Sequence, residues 1–224
     1  MFNQITEINM RKKNLIIAAV AMFFIASYSN LSEIPPAGAQ TTPEQKFQKE
    51  LSGKANTIRK YGIKSGVITF ETSVGRLKGK EILYFDDYGS KELMEKYSGE
   101  KLKEATLADG ATMYTIKFDQ KTAYKMGNAS RGVAYKFDWN EIAADDKDTK
   151  ARKQANVTIA GKDCESYSYE NKGMTTTFAG WKNICLFTEQ KMKMGTSVSK
   201  AVSIEENAAI APDKFKVPAG FEVK

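Results

Sequence analysis

Residues 157–181 read VTIAGKDCESYSYENKGMTTTFAGW, and this stretch decides the fold class. Three short runs rich in β-branched and aromatic residues are separated by two turn signals that contain glycine. The runs are 157–160, 164–170 and 174–181, and the turns are Gly161-Lys162 and Asn171-Lys172-Gly173. This order predicts a meander of antiparallel strands.

Alternating polar and apolar residues predict further strands on both sides of this meander. They occur at 68–72, 80–88, 113–118, 121–126, 135–139, 185–189 and 196–205, and 215–221 is predicted as a short edge segment. Asp119-Gln120 is a hairpin signal. Gly89-Ser90 predicts the start of a short helix through Tyr97, and 140–153 is predicted as a helix or an ordered loop. Short strands at about ten-residue spacing predict an antiparallel barrel or a curved sheet.

One amphipathic helix is predicted before the strands. Thr42, Pro43 and Gln45 supply an N-cap, a proline at the first helical position and a capping-box glutamine. The apolar stripe that follows consists of Phe47, Leu51, Ala55 and Ile58. Because an amphipathic helix must bury one face, we expect it to plug or cover the concave face of the sheet.

The N-terminal segment has the order of a secretory signal peptide. The basic cluster Arg11-Lys12-Lys13 precedes an apolar run at 14–26. This run of about a dozen residues is too short for a membrane span, which needs about 20. Met10 stands directly before the cluster and is a candidate for the true start. Cleavage is predicted after Ser29, with cleavage after Ala39 as the alternative.

The composition argues against several classes of function. The chain has no histidine, which removes the commonest general base and the commonest metal ligand. Its S-x-x-K matches at 98–101 and 197–200 are expected by chance in a chain with this many lysines. The acidic run at 145–148 lacks the glycine and the distal glutamate of a calcium loop. We therefore predict no enzyme activity, no catalytic residues, no metal site and no cofactor.

The net charge of +7 is spread along the chain. Basic residues alternate with acidic ones, and the longest basic run is the cluster in the leader. This pattern is typical of a solvated, lysine-rich surface rather than of polyanion binding. We therefore predict no nucleic-acid partner.

Cys164 and Cys185 are the two cysteines of the chain. An even number suits an oxidising compartment, and a disulfide closing about 20 residues would contribute roughly 3 kcal/mol. A tight hairpin at Asn171-Lys172 would place Cys164 opposite position 179 rather than 185, so the bond requires a bulge or a neighbouring strand. We predict a disulfide, and a pair of buried thiols is the alternative.

Apolar and aromatic residues recur at i, i+2 spacing in four sets, which places each set on one face of a strand. The sets are Ile68 and Phe70; Tyr114, Ile116 and Phe118; Tyr135, Phe137 and Trp139; and Tyr167 and Tyr169. One interpretation is an ordinary core. The other is that a curved sheet under only a few helices leaves an apolar cavity, which can hold acyl chains.

Three segments of the last third carry a resemblance to a known family. They are Gly161-Lys162 followed by Cys164 and Tyr167, the run WKNICLFTE at 181–189, and the terminal F-x-V-P-x-G-F at 215–221. In this order they resemble the periplasmic lipoprotein-carrier (LolA-like) superfamily, although Cys185 stands where such proteins often carry proline. The resemblance implies a mainly β fold with α, an unclosed antiparallel β-barrel (half-barrel) covered by a few helices, with an apolar cavity for acyl chains.

These observations combine into one functional hypothesis. We expect residues 1–29 to be a signal peptide, 30–42 a flexible tether and 43–224 a single β-rich domain. The domain is predicted to be a monomeric periplasmic carrier or sensor that binds acyl chains of a lipid or lipoprotein, with an envelope membrane protein as a further partner. The predicted cavity residues are Phe47, Leu51, Ile58, Ile68, Phe70, Tyr114, Ile116, Phe118, Tyr135, Phe137, Trp139 and Trp181. The alternative is an envelope interaction or structural module with a solid core and no ligand.

Overall fold

The computed structural model describes residues 59–109, 112–128, 152–171, 173–193 and 195–224. The leader, the tether and the stripe of the predicted helix lie outside the described residues. The strand predicted at 135–139 and most of the segment predicted at 140–153 lie outside them as well. Among the described residues, no helix has the length and apolar character needed to cross a membrane.

The described part of the chain forms one sheet of twelve strands, with 3₁₀ turns at Asp87–Gly89 and Pro212–Phe215. The strands are β1 (Gly66–Val74), β2 (Leu77–Asp86), β3 (Lys91–Ser98), β4 (Lys101–Asp109), β5 (Thr112–Lys117), β6 (Thr122–Asn128), β7 (Arg152–Ile159), β8 (Lys162–Asn171), β9 (Met174–Trp181), β10 (Ile184–Met192), β11 (Gly195–Glu206) and β12 (Glu222–Val223).

Two antiparallel meanders build this sheet. The strand order is β12-β6-β5-β4-β3-β2-β1-β11-β10-β9-β8-β7, so the meander β1 to β6 and the meander β7 to β11 join where β1 pairs with β11. The short strand β12 adds to β6 in parallel. Because β7 and β12 are the two edges, the sheet is unclosed. The predicted mainly β, unclosed architecture is confirmed, whereas the predicted helical cover falls on residues that are not described.

Most of the predicted strands are present. The β7–β8–β9 meander and the hairpin at Asp119-Gln120 are confirmed by the strand pairings. The short helix predicted after Gly89-Ser90 is wrong, because these residues form β3 between β2 and β4. Glu, Leu, Met and Lys favour helices intrinsically, but pairing on both sides and burial on both faces override that preference.

The register assigns side chains of the first meander to two faces, since directly opposite residues of paired strands lie on the same face. One row consists of Phe70, Glu81, Lys96, Glu104 and Lys117. Ile68 lies two residues from Phe70 on the same surface, which we call the Ile68 face. The opposite surface carries Leu93, Leu107 and Tyr114 and is called the Leu93 face.

Two hydrophobic clusters stabilise the sheet. The first consists of Tyr61, Ile63, Ile68, Phe70, Leu83, Phe85, Met94, Ile159, Cys164, Ala179, Ile184, Leu186 and Ala201. The second consists of Leu93, Ala105, Leu107, Ile116, Ala123 and Phe215, and Ile210, Val217 and Phe221 of the C-terminal tail pack against it. The tail, residues 207–224, therefore covers the Leu93 face of the first meander.

The two cysteines are free thiols, so the predicted disulfide is not formed. Cys164 lies on β8 and Cys185 on β10, with β9 between them: Cys185 pairs with Gly180, and Gly180 pairs with Glu165. Strands two positions apart are separated by about 9.5 Å, twice the interstrand spacing, which exceeds the ~7 Å limit for bridged Cα atoms. Cys164 is buried and Cys185 half-buried.

Candidate functional site

The Ile68 face of β2 to β5 carries a row of alternating charges. Glu81, Lys96, Glu104 and Lys117 lie directly opposite one another across the four strands. Glu104 forms ion pairs with both of its neighbours, at 3.4 Å from Lys96 Nζ and with Lys117. Its side chain is 14% exposed, against 30% for each lysine, so this part of the row is partly shielded from water.

Glu81, at the β2 end of the row, is a buried carboxylate with an unsatisfied oxygen. The residue is 8% exposed, and its Oε2 atom is buried with no hydrogen-bond partner among the described residues. Burial raises the pKa of Glu81 and the charge of Glu104 raises it further, while the charge of Lys96 lowers it. A buried acceptor without a donor is costly, so this position either carries a proton or accepts a hydrogen bond from a bound molecule.

Apolar side chains adjoin the charged row on the same face. One neighbouring row runs through Leu83, Met94, Thr106, Thr115 and Tyr124, and the next through Phe85, Glu92, Ala108, Met113 and Met126. Burial decreases along both rows toward β6: Leu83 is fully buried, whereas Tyr124 is 37% and Met126 45% exposed. We call Met113, Thr115, Tyr124 and Met126 the methionine strip. Tyr124 and Met126 of the strip are exposed, and Met113 and Thr115 are half-buried, so the strip is the most accessible part of these two rows.

A second buried carboxylate on this face is fully satisfied. Glu92 is 0% exposed, and Lys60 Nζ lies 2.7 Å from both of its oxygens, while the Tyr61 hydroxyl donates to Oε1. Burial lowers the pKa of Lys60, opposed by its attraction to Glu92, and raises the pKa of Tyr61. The Tyr61 ring packs edge-on against Phe85 with centroids 4.7 Å apart. These contacts fix the segment before β1 onto the sheet.

A glycine makes this attachment possible. Gly89, in the turn between β2 and β3, has φ +89°, and a Cβ atom built there would lie 2.8 Å from the Tyr61 ring. A larger residue would therefore displace Tyr61 and adopt a strained backbone at the same time.

The predicted cavity residues are divided between the two clusters. Ile68 and Phe70 belong to the first cluster, and Trp181 packs partly buried against it. Ile116 belongs instead to the second cluster, and Tyr114 and Phe118 pack partly buried against it; the Phe118 and Phe221 ring centroids lie 5.4 Å apart. The remaining six lie outside the described residues; they are Phe47, Leu51, Ile58, Tyr135, Phe137 and Trp139. The described members thus do not line one common surface.

Sequence reasoning did not identify the charged row or the methionine strip. Glu81, Leu83 and Phe85 occupy alternate positions of β2 and therefore lie on the same face of the sheet. This spacing is the feature of the sequence from which a buried glutamate could be predicted. The sequence predicts a short helix through Tyr97, and a helix does not place Lys96 opposite Glu81 on a neighbouring strand. Met113 and Met126 lie on the strands predicted on either side of Asp119-Gln120, and the regular register of this hairpin sets them opposite each other; the register shift comes only beyond them, between Thr112 and Met113.

The thiols and the metal-ligand residues offer no reactive centre in the described ranges. No group of three or more potential metal ligands occurs there. Burial raises the pKa of the Cys185 thiol to about 11 and also raises the pKa of Cys164. Both sulfurs therefore stay protonated at neutral pH, and a thiol is a much poorer nucleophile than a thiolate.

An open, mainly antiparallel sheet of twelve strands defines a class of fold, and solved structures share it. A chain of the Pseudomonas aeruginosa MucA/MucB complex matches with a TM-score of 0.53 and 14% identity over 80% of this chain and 62% of that chain. MucB alone matches with a TM-score of 0.51 and 13% identity over 81% and 66%. An uncharacterized conserved protein from Thermus thermophilus matches with a TM-score of 0.50 and 11% identity over 80% and 99%.

These similarities show the fold alone, since the identities are low. The resemblance seen in the sequence is confirmed at the level of the fold. The chain spans about two thirds of the MucB chains that it matches. No protein-family model matches the sequence, and no curated protein matches it either.

Proposed function

We propose that this protein is an exported envelope carrier or sensor that binds acyl chains of a lipid or lipoprotein on the Ile68 face, without chemistry. The observation that carries the proposal is the methionine strip. It is an exposed apolar end of a face that is otherwise buried, on a sheet that does not close on itself. Exposed apolar surface that continues into a core is a common form of ligand site.

The chemistry of the strip suits an acyl chain. Met113 and Met126 are directly opposite each other and are unbranched, so they can adapt to a flexible ligand. Thr115 and Tyr124, also directly opposite each other, add methyl and aromatic surface beside them. The unsatisfied Oε2 of Glu81 on the same face supplies a polar acceptor where the apolar rows meet the charged row.

The envelope location forms part of the proposal. It is supported by the basic cluster and apolar run at 11–26, which have the order of a secretory signal peptide. Free thiols are compatible with an oxidising envelope compartment here, because Cys164 and Cys185 lie on strands that are too far apart for a disulfide.

Native mass spectrometry and a fluorescent fatty-acid probe test the cargo. Protein purified from the bacterial periplasm is expected to carry bound lipid, and the delipidated protein to bind the probe saturably. Met126→Glu is expected to weaken probe binding about tenfold, because it removes apolar contact area and introduces a charge. Val202→Glu is the matched control, since both parent residues are 45% exposed and Val202 lies on β11. Unchanged probe binding by Met126→Glu, or repeated absence of lipid and of probe binding, would overturn the proposal.

A second candidate function is a protein-interaction module. Strand β7 is an edge of the sheet that the described residues form, and seven of its eight residues are exposed. Exposed edge strands pair with extended peptides. The structural neighbour MucB forms a complex with MucA, which makes regulation through a protein partner a reasonable second hypothesis for this fold.

Photocrosslinking in cells distinguishes this second function from the first. A photoreactive residue at Ala155 of β7 is expected to give a discrete crosslinked product, whereas the same residue at the exposed Glu71 of β1, a strand paired on both sides, is not. Under this hypothesis the crosslink persists in the Met126→Glu variant. Equal crosslinking from both positions would contradict a role for the β7 edge.

A further inference from the structure

Two neighbouring hairpins form one exposed tip of the sheet. β1 and β2 are joined by the two-residue turn Gly75-Arg76, with Val74 opposite Leu77. β10 and β11 end with Met192 opposite Gly195. The Gly75 N–H donates to the Thr196 carbonyl at 3.0 Å, so the two turns are held side by side. We call residues 74–78 and 191–193 the hairpin tip.

The hairpin tip exposes an unusual amount of apolar surface. Leu77 is 76% exposed, the largest value among the large hydrophobic residues in the described ranges. Val74 and Met192 are 40% and 44% exposed. Three of the eight exposed large hydrophobic residues of the described chain thus lie on this one tip. Clustered apolar side chains in water indicate an interaction site, whereas single ones do not.

The charges around these side chains have one sign. Arg76, Lys78 and Lys193 are exposed, and none of them forms an ion pair with another described residue. Lys191 is also exposed and pairs with Glu189 at 3.0 Å. Residues 72–80 and 190–196 contain no aspartate or glutamate. The next lysine along β2 after Lys78 is Lys80, which is paired with Glu100 on the adjacent hairpin at 3.6 Å.

We propose that the hairpin tip docks on an anionic lipid bilayer surface. Leu77 and Met192 enter the boundary between head groups and acyl chains, and Arg76, Lys78 and Lys193 contact lipid phosphates. Apolar side chains flanked by basic ones are the arrangement that binds bilayer interfaces, because burial and charge attraction act together. The hydrogen bond from Gly75 to Thr196 holds the β1–β2 turn against the start of β11, so the backbone that carries Arg76 and Leu77 is ordered before docking. The tip contains no aromatic residue or carboxylate, and this favours lipid over a peptide partner.

Docking through the tip is independent of acyl cargo binding. The methionine strip lies on β5 and β6, whereas the hairpin tip belongs to β1, β2, β10 and β11. A protein that binds no cargo would still dock through the tip, and a cargo carrier with an inert tip would still bind the fatty-acid probe.

Vesicle flotation with the folded protein tests the proposal. Wild-type protein is expected to float with vesicles of phosphatidylethanolamine and phosphatidylglycerol, and not with vesicles of phosphatidylethanolamine and phosphatidylcholine. The partition constant is expected to fall with added salt, because screening weakens the attraction between exposed charges. Leu77→Ser with Met192→Ser is expected to lower it about tenfold or more, since the apolar contact is lost.

Charge removal and a matched control complete the test. Each basic residue near an anionic surface contributes about fivefold to partitioning, so Arg76→Ser with Lys78→Ser is expected to lower it about 25-fold. Val157→Ser on β7, at a residue that is 38% exposed, is the control and is expected to change nothing. All parent residues are exposed, so thermal unfolding is expected to be unchanged. Equal binding to both vesicle types, or wild-type flotation of both double variants, would overturn the proposal.

Discussion

Glu95 and Glu81 are buried glutamates on neighbouring strands, but they lie on opposite faces of the sheet and differ in their hydrogen bonding. Glu95 on the Leu93 face accepts from Lys214 Nζ at 2.7 Å and from the Tyr97 hydroxyl at 2.8 Å. Glu81 on the Ile68 face has an Oε2 atom to which no residue of the described ranges donates. The two residues are buried to a similar extent, since Glu95 is 6% exposed and Glu81 is 8% exposed. The difference therefore comes from what covers each face.

The two faces have accordingly different tasks. The C-terminal tail covers the Leu93 face and supplies both the apolar cluster and the lysine that Glu95 needs. The Ile68 face combines a buried core with a charged row, an unsatisfied carboxylate and the methionine strip. A protein that sacrifices stability at one place commonly does so for function. Both faces contribute a hydrophobic cluster to the fold, and the proposed function assigns ligand binding to the exposed end of the Ile68 face.

The largest expected effect concerns the cover of the Leu93 face. Phe215→Ala is expected to lower the free energy of unfolding by about 3–5 kcal/mol, because Phe215 is 4% exposed and its removal leaves a cavity in the second cluster. Urea titration followed by circular dichroism measures it. Val223→Ala, at a residue that is 54% exposed, is the control and is expected to change stability by less than about 0.5 kcal/mol. Equal small effects would mean that the tail does not cover this face in solution.

A smaller effect is expected from the ion pair that satisfies Glu95. Lys214→Met is expected to cost about 1–2 kcal/mol, because one oxygen of a buried carboxylate loses its donor while Tyr97 still donates to the other. The value is reduced because the Lys214 side chain is 32% exposed and the pair is partly screened. Lys216→Met removes the exposed pair with Asp213 and should change little, less than about 0.5 kcal/mol. If the two variants cost the same, the burial of Glu95 does not determine the strength of its pair.

The smallest expected effect is that of Glu81→Gln, which is expected to raise the free energy of unfolding, by an amount that depends on pH. Burial raises the pKa of Glu81 in the folded state, so the folded protein holds this proton more tightly than the unfolded chain does. The resulting stabilisation is present below the ordinary carboxyl pKa and is lost as pH rises through the raised value. Glu81→Gln is therefore expected to match wild type in acid and to be more stable by about 1 kcal/mol at neutral pH.

Urea titrations of both proteins over this pH range measure the difference. Glu71→Gln is the matched control, because Glu71 is an exposed glutamate on the adjacent strand β1, and its difference from wild type is expected to be flat with pH. A Glu81→Gln variant that is less stable than wild type at neutral pH would show that Glu81 is held there as a satisfied carboxylate. The contrast between the two faces would then be lost.

Local sequence patterns were sufficient for much of the fold. Turn residues and period-two alternation located the β7–β8–β9 meander and the hairpin at Asp119-Gln120, because both signals depend on neighbours in the chain. The helix predicted at β3 was wrong because pairing with β2 and β4 overrides the helix preference of its residues. Whether Cys164 and Cys185 could bond likewise depended on the strand order, which spacing alone does not determine.

The candidate site was harder to predict for the same reason. Alternation within one strand predicts that Tyr114 and Ile116 share a face of β5 and that Ile68 and Phe70 share a face of β1. It does not show that these two faces are opposite sides of the same sheet. That relation follows from the register summed over β1 to β5. Likewise, no local feature distinguishes Glu95 from Glu81, because the lysine that satisfies Glu95 lies 119 residues further along the chain.

The parallel pairing of β12 with β6 and the burial of Phe215 also set the order in which the domain can mature. Both contacts come from the last ten residues, and the two meanders join only when Gly66 faces Glu206. A nascent chain therefore cannot complete its sheet until residues 215–224 have been synthesised, so a chain truncated before Phe215 is expected to fold incompletely.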